Sequence, residues 1–174
     1  MSLIIPISYA VSGFFMKYSD DEYDENLNKK NAIILGILCG IITGFVSSIN
    51  SDAACIFIAI LLGNLIAFKI DGIHHLACLV TFILVFLFLG IPNLTFLPLI
   101  IIIIGAFLDE IGNDNKKLYL KSDFFKYFFD YRFTLKIVIF VLAILGVLRF
   151  ESFIYFLLFE ISYEIAGLVF KKLN

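Results

Sequence analysis

The chain has 174 residues, 61% of them hydrophobic and 16% charged, with a mean hydropathy of +1.02 and a formal net charge of −2. Soluble domains hold about 45–50% apolar and about 25% charged residues, so this composition argues against a water-soluble globule and for a surface that faces lipid. Nucleic acid is excluded as a partner, because the lysines are spread over several connections instead of lining one surface.

Seven apolar runs follow one another along the chain, near 3–18, 32–49, 53–68, 76–91, 94–108, 133–148 and 152–170. They predict an all-α integral membrane protein, a polytopic bundle of about seven transmembrane helices forming a single domain over 1–174. Most runs are slightly short against the ~20 residues that cross the hydrocarbon core, and flanking Lys, Tyr and Asn side chains extend them by snorkelling. The first run begins almost at Met1 without a basic leader, so it is expected to be a retained span and not a cleaved signal. If it is re-entrant, six spans remain.

That run ends in the string Asp20–Asp21–Glu22–Tyr23–Asp24. The second run carries Gly36, Gly40 and Gly44, and the third Ala59, Gly63 and Ala67. Small residues at this spacing let helix backbones approach closely in lipid. The expectation is that runs two and three pack as a hairpin, with a homo-oligomer through the Gly36/Gly40/Gly44 face as the alternative. After the third run come Lys69, Asp71, Gly72, His74 and His75, and after the fifth Asp109, Glu110, Asn113 and Asp114. The segment 123–132 alternates aromatic with charged residues behind Ser122, a suitable N-cap, and predicts an interfacial helix running into the sixth span. The last run contains Glu160 and Glu164, one turn apart and so on one face. Cys39, Cys55 and Cys78 lie in or beside apolar runs with no CxxC spacing, and serve as packing groups.

Threading the runs alternately through a bilayer sorts the charges. Lys17, Lys29, Lys30, Lys69, Lys116, Lys117, Lys121, Lys126, Arg132, Lys136, Lys171 and Lys172 fall on one side, leaving Arg149 alone on the other. Basic residues mark the cytoplasmic side, so the N-terminus is expected outside and the C-terminus in the cytoplasm of a multi-pass cell-membrane protein. Most acids and both histidines share that cytoplasmic face.

These polar groups are the candidate chemistry. Asp20, Asp21 and Asp24 sit at i, i+1 and i+4, where carboxylates can hold Mg2+ or another divalent metal against a diphosphate. Asp109, Glu110 and Asp114 could supply a second such set, joined by Asp71 and Glu160. His74 and His75 follow Asp71–Gly72, and imidazole suits Zn, Fe or Ni. Glu164 or His74 is the candidate proton carrier and Lys69 the candidate phosphate contact. Aspartate-rich pairs of this kind resemble those of the membrane prenyltransferases, which implies a metal-bound diphosphate substrate. The resemblance covers these short strings alone, and the family's full first motif and its second motif at standard spacing are absent. No HExxH, Walker or GxSxG pattern occurs.

Three functions follow. The first is a metal-dependent membrane enzyme acting on a lipid phosphate or isoprenoid diphosphate at the cytoplasmic face. The second is a cation or proton transporter or channel using Glu160 and Glu164, since intramembrane acids usually serve transport or catalysis. The third is a non-catalytic membrane subunit.

Overall fold

A computed structural model describes residues 3–115, 117 and 122–173. Among the described residues all regular structure is helical. The helices are α1 (Ile4–Asp24), α2 (Lys29–Ile49), α3 (Ser51–Ile66), α4 (Ile73–Leu89), α5 (Phe96–Asp114), α6 (Asp123–Asp130), α7 (Phe133–Ile144) and α8 (Phe150–Leu173). Three of them, α2, α5 and α8, are long and apolar enough to cross a membrane, which is consistent with a membrane location; α3, α4 and α7 are apolar but shorter. Lys116 and Lys121 of the charge pattern lie outside the described residues.

Local chemistry sets the boundaries. Pro6 sits in the first turn of α1, where a missing N–H is harmless, and nothing breaks the helix before Leu27, which turns the chain at φ +53°. The helix therefore runs six residues past the predicted end of its apolar run, so the acidic string is helical. Asn28 caps α2 by accepting the Asn31 N–H, and Asn50 caps α3 by accepting that of Ala53. As expected, Ser122 caps a helix that begins at Asp123. Gly146 closes α7 at φ +70°, with Val147 N–H bonded to Leu142 O and Gly146 N–H to Ala143 O. That pair of bonds satisfies the last carbonyls and needs a left-handed residue, which glycine supplies without strain.

The chain divides into two compact units. The first comprises Met1–Ala54, Asp71–Asn93 and Ile154–Asn174; the second comprises Cys55–Ile70 and Leu94–Phe153.

In the first unit α2 packs against both α1 and α4. The glycine face of α2 belongs to α4: a Cβ on Gly36 would lie 2.5 Å from the His74 carbonyl oxygen, and one on Gly40 2.5 Å from that of Cys78. The α2 glycines thus meet α4, where the sequence reading had paired them with α3, and a second copy using this face would have to displace α4. On the other side Ser19 Oγ donates to Ala32 O at 2.8 Å, tying α1 to the first turns of α2. Gly13 does for α1 and α8 what Gly36 does for α2 and α4, its missing Cβ making room for the Phe159 carbonyl.

In the second unit α5 packs on α6 and α7. Gly63 of α3 abuts Ala106 and Phe107 of α5.

Candidate functional site

Within the first unit three side chains converge that are far apart in sequence. Asp20 comes from the C-terminal part of α1, and His74 and His75 from the first turn of α4. His74 Nε2 lies 3.2 Å and His75 Nε2 3.0 Å from the same atom, Asp20 Oδ1. One ligand atom from each of the three lies within 4.8 Å of the others, so the group could hold a metal ion. Ligands about 2.1 Å from an ion sit about 3.0 Å apart at right angles and about 3.4 Å apart at the tetrahedral angle. The two imidazole–carboxylate spacings lie within a few tenths of an ångström of these values.

His74 is held from every side. It is only 2% exposed. Its ring is flanked by those of Tyr23 and His75, with centroids 4.4 and 4.0 Å away. Its backbone rests on Gly36, and a Cβ on Gly72 would fall 2.3 Å from its Cε1. Two glycines, one across the helix pair and one in the preceding turn, therefore make the space that this imidazole fills. His74 Nδ1 is buried without a hydrogen-bond partner among the described residues. His75, half-buried, also has Asp71 Oδ1 3.6 Å from its Nδ1. Tyr163 of α8 donates its O–H to the other Asp20 oxygen, Oδ2, at 3.3 Å.

The charges respond to this packing. Burial pushes the Asp20 carboxyl up, but the hydrogen bonds from His74 and His75 and their charge outweigh it and hold the group down at about 2. Burial likewise pushes His75 down, and the Asp20 hydrogen bond and charge, followed by Asp71, reverse the sign and raise it above its ordinary value. An ion at this point would displace the proton that Asp20 helps His75 to hold, so binding would release a proton.

The other predicted residues have different surroundings. Asp21 is buried and paired with Lys17 at 2.8 Å, one turn back on α1. Neighbouring positions on a helix point about 100° apart, which is why Asp20 and Asp21 have different partners. Asp24 is exposed. In the second unit Asp109, 1% exposed, accepts the backbone N–H of Thr134 at 3.0 Å and of Leu135 at 2.7 Å, and so caps α7. Glu110 lies 3.7 Å from Arg132, and Lys69 binds Asp114 at 2.5 Å. A cavity of about 10 Å³ bordered by Asn64, Asp109, Glu110 and Arg132 has room for one water. Glu160 is buried and Glu164 exposed, although both are on α8.

The sequence offers His75 beside His74 as a candidate imidazole ligand without showing its carboxylate partner. Its adjacency to His74 behind Asp71–Gly72 was the available signal, but the partner, Asp20, is 55 residues away. Among the described residues the Asp20–His74–His75 cluster is the one group of three or more His, Cys, Asp or Glu side chains arranged to share an ion. No family model matches the chain, and neither a curated protein nor a solved structure matches it.

Proposed function

We propose that this chain is a polytopic membrane protein that binds a divalent transition-metal ion at Asp20, His74 and His75 and uses it to hydrolyse a phosphate-bearing lipid at the cytoplasmic face. The observation that carries the reading is the meeting of two imidazole nitrogens and one carboxylate oxygen within 4.8 Å. Nitrogen donors favour Zn, Fe, Co or Ni over Mg, which prefers oxygen and keeps its waters. Three protein ligands leave coordination positions for water and a substrate oxygen, the pattern of catalytic rather than structural sites. Bound there, the ion would acidify a water and polarise a phosphoryl oxygen.

The surroundings support a lipid substrate. Asp20 follows the apolar stretch of α1 and the histidines precede that of α4, so the ligands sit at headgroup depth if these helices span. In that topology α1, α3, α4 and α7 cross together with the three longer helices, their short apolar lengths completed by snorkelling residues. The one-sided excess of basic residues supports a cytoplasmic position for the site. Tyr23 borders the cluster, and the exposed Asp71 carboxylate, 3.6 Å from His75 Nδ1, adds negative charge beside it.

Purified protein in liposomes carrying a phosphatidic acid or an isoprenoid diphosphate, loaded with Zn2+ or Mn2+, should release inorganic phosphate. Asp20→Asn and His75→Ala should abolish that release. Equal release by wild type and both variants sinks the reading.

A second reading, cation or proton transport, is favoured by the burial of Glu160 in the long apolar helix α8. Acids at membrane depth usually face a pathway or a partner. Flux into liposomes that is unchanged in Glu160→Gln removes it.

A further inference from the structure

We propose that Tyr163 is a positioning residue for the metal ion, its hydroxyl holding Asp20 Oδ2 so that Oδ1 alone is presented to the two imidazoles. The inference rests on the metal reading above.

The two oxygens of Asp20 have separate partners. Oδ1 faces His74 and His75, while Oδ2 accepts the Tyr163 O–H. A carboxylate free to turn about its last torsion offers either oxygen, or both, to an ion. A hydroxyl fixed on one of them selects a single orientation and single-oxygen ligation. Outer-shell partners of this kind orient the ligands and set their basicity.

Tyr163 is itself fixed. The Lys17 ammonium lies 5.6 Å from its ring centroid, and Lys17 is anchored in turn by Asp21. One turn earlier on α8, the Phe159 ring stacks on that of Tyr163 with centroids 6.5 Å apart. The Phe159 backbone is pressed against α1 at Gly13. The phenol therefore has its position set by α1 and α8 together, while the imidazoles are set by α2 and α4. Metal occupancy then depends on the seating of α8, although α8 contributes no ligand of its own.

The test uses the full chain in detergent with Co2+ as the probe, read by its visible ligand-field spectrum and by titration. Wild type should bind a single Co2+, and Tyr163→Phe should bind it about 10–100-fold more weakly with a displaced spectrum. The metal-free variant should melt with the wild type, since the ring remains. A wild type that binds no Co2+ overturns the metal reading and this inference with it. A wild type that binds, with Tyr163→Phe identical in affinity and spectrum, overturns the role of Tyr163 alone. If the variant melts far below wild type, the infrared difference between Zn2+-loaded and metal-free wild type, with 13C-labelled aspartate, decides. A one-oxygen carboxylate ligand is expected, and a two-oxygen ligand contradicts the proposal.

Discussion

Asp20 and His74 meet through Oδ1 and Nε2 at 3.2 Å across 54 residues of chain. The contact depends on a third element. α2 lies against both α1 and α4, and a Cβ on its Gly36 would fall 2.5 Å from the His74 carbonyl oxygen.

Gly36→Ala should push the first turn of α4 away from α2. A Cβ placed 2.5 Å from a backbone oxygen cannot be absorbed by a rotamer change. Overpacking of this kind costs typically about 1–3 kcal/mol, and here it also separates Asp20 from the histidines. Thermal unfolding and Zn2+ titration should both register the change. Unaltered Zn2+ affinity in a destabilised variant would uncouple the glycine contact from the site.

The metal-free protein should have its stability window set in part by Asp20 and His75. Asp20 is lowered in the fold from 3.8 to about 2, so its contribution is present above its ordinary value and lost as the pH falls towards 2. His75 is raised above 6.5, so its contribution is complete below that value and lost as the pH climbs through the raised one. Urea unfolding between pH 2 and 9 should show both limbs in wild type and a flatter profile in Asp20→Asn. The same two limbs in Asp20→Asn would show that other groups cause them.

Asp109→Ala should destabilise the second unit without affecting metal. The carboxylate accepts two backbone N–H groups at the start of α7, and losing charged acceptors for buried donors costs about 1–3 kcal/mol. Hydrogen exchange at Thr134 and Leu135 should speed up while Zn2+ affinity stays at the wild-type value. A drop in Zn2+ affinity would return Asp109 to the list of ligands on which the sequence placed it.

Phe124 and Tyr127 of α6 are 65% and 59% exposed. Aromatic rings beside Lys126 suit the headgroup layer. Because the chain has no Trp, Phe124→Trp gives a single reporter. Its fluorescence in liposomes should be quenched more by lipids brominated near the headgroup than by those brominated at the chain ends. The reverse order would place α6 deep in the hydrocarbon, and no quenching by either would place it in water.

The helices were legible because apolar periodicity and caps are local. Ser122 acts within two residues of itself, and the expected runs match the observed helices to within a few residues at most ends. The C-terminus of α1 was not legible from hydropathy, since helix and apolar stretch end at different places: Ser19 to Asp24 continue the helix without being apolar. The residue types of the site were visible as well, in an acidic string and a His–His pair. Their joining was not, because it follows from α1, α2 and α4 packing through Ser19, Gly36 and Gly72. The i, i+1, i+4 carboxylate pattern also concealed that Asp20 and Asp21 point to different partners, one to imidazoles and the other to Lys17.

The central claim is that Asp20, His74 and His75 bind a metal ion, and calorimetric titration of the purified full chain with Zn2+ tests it most directly. Wild type should take up one ion per chain with release of protons, and Asp20→Asn/His75→Ala should take up none, while Asp109→Asn/Asp114→Asn binds like wild type. Absence of Zn2+ binding by wild type, or equal binding by Asp20→Asn/His75→Ala, would contradict the account.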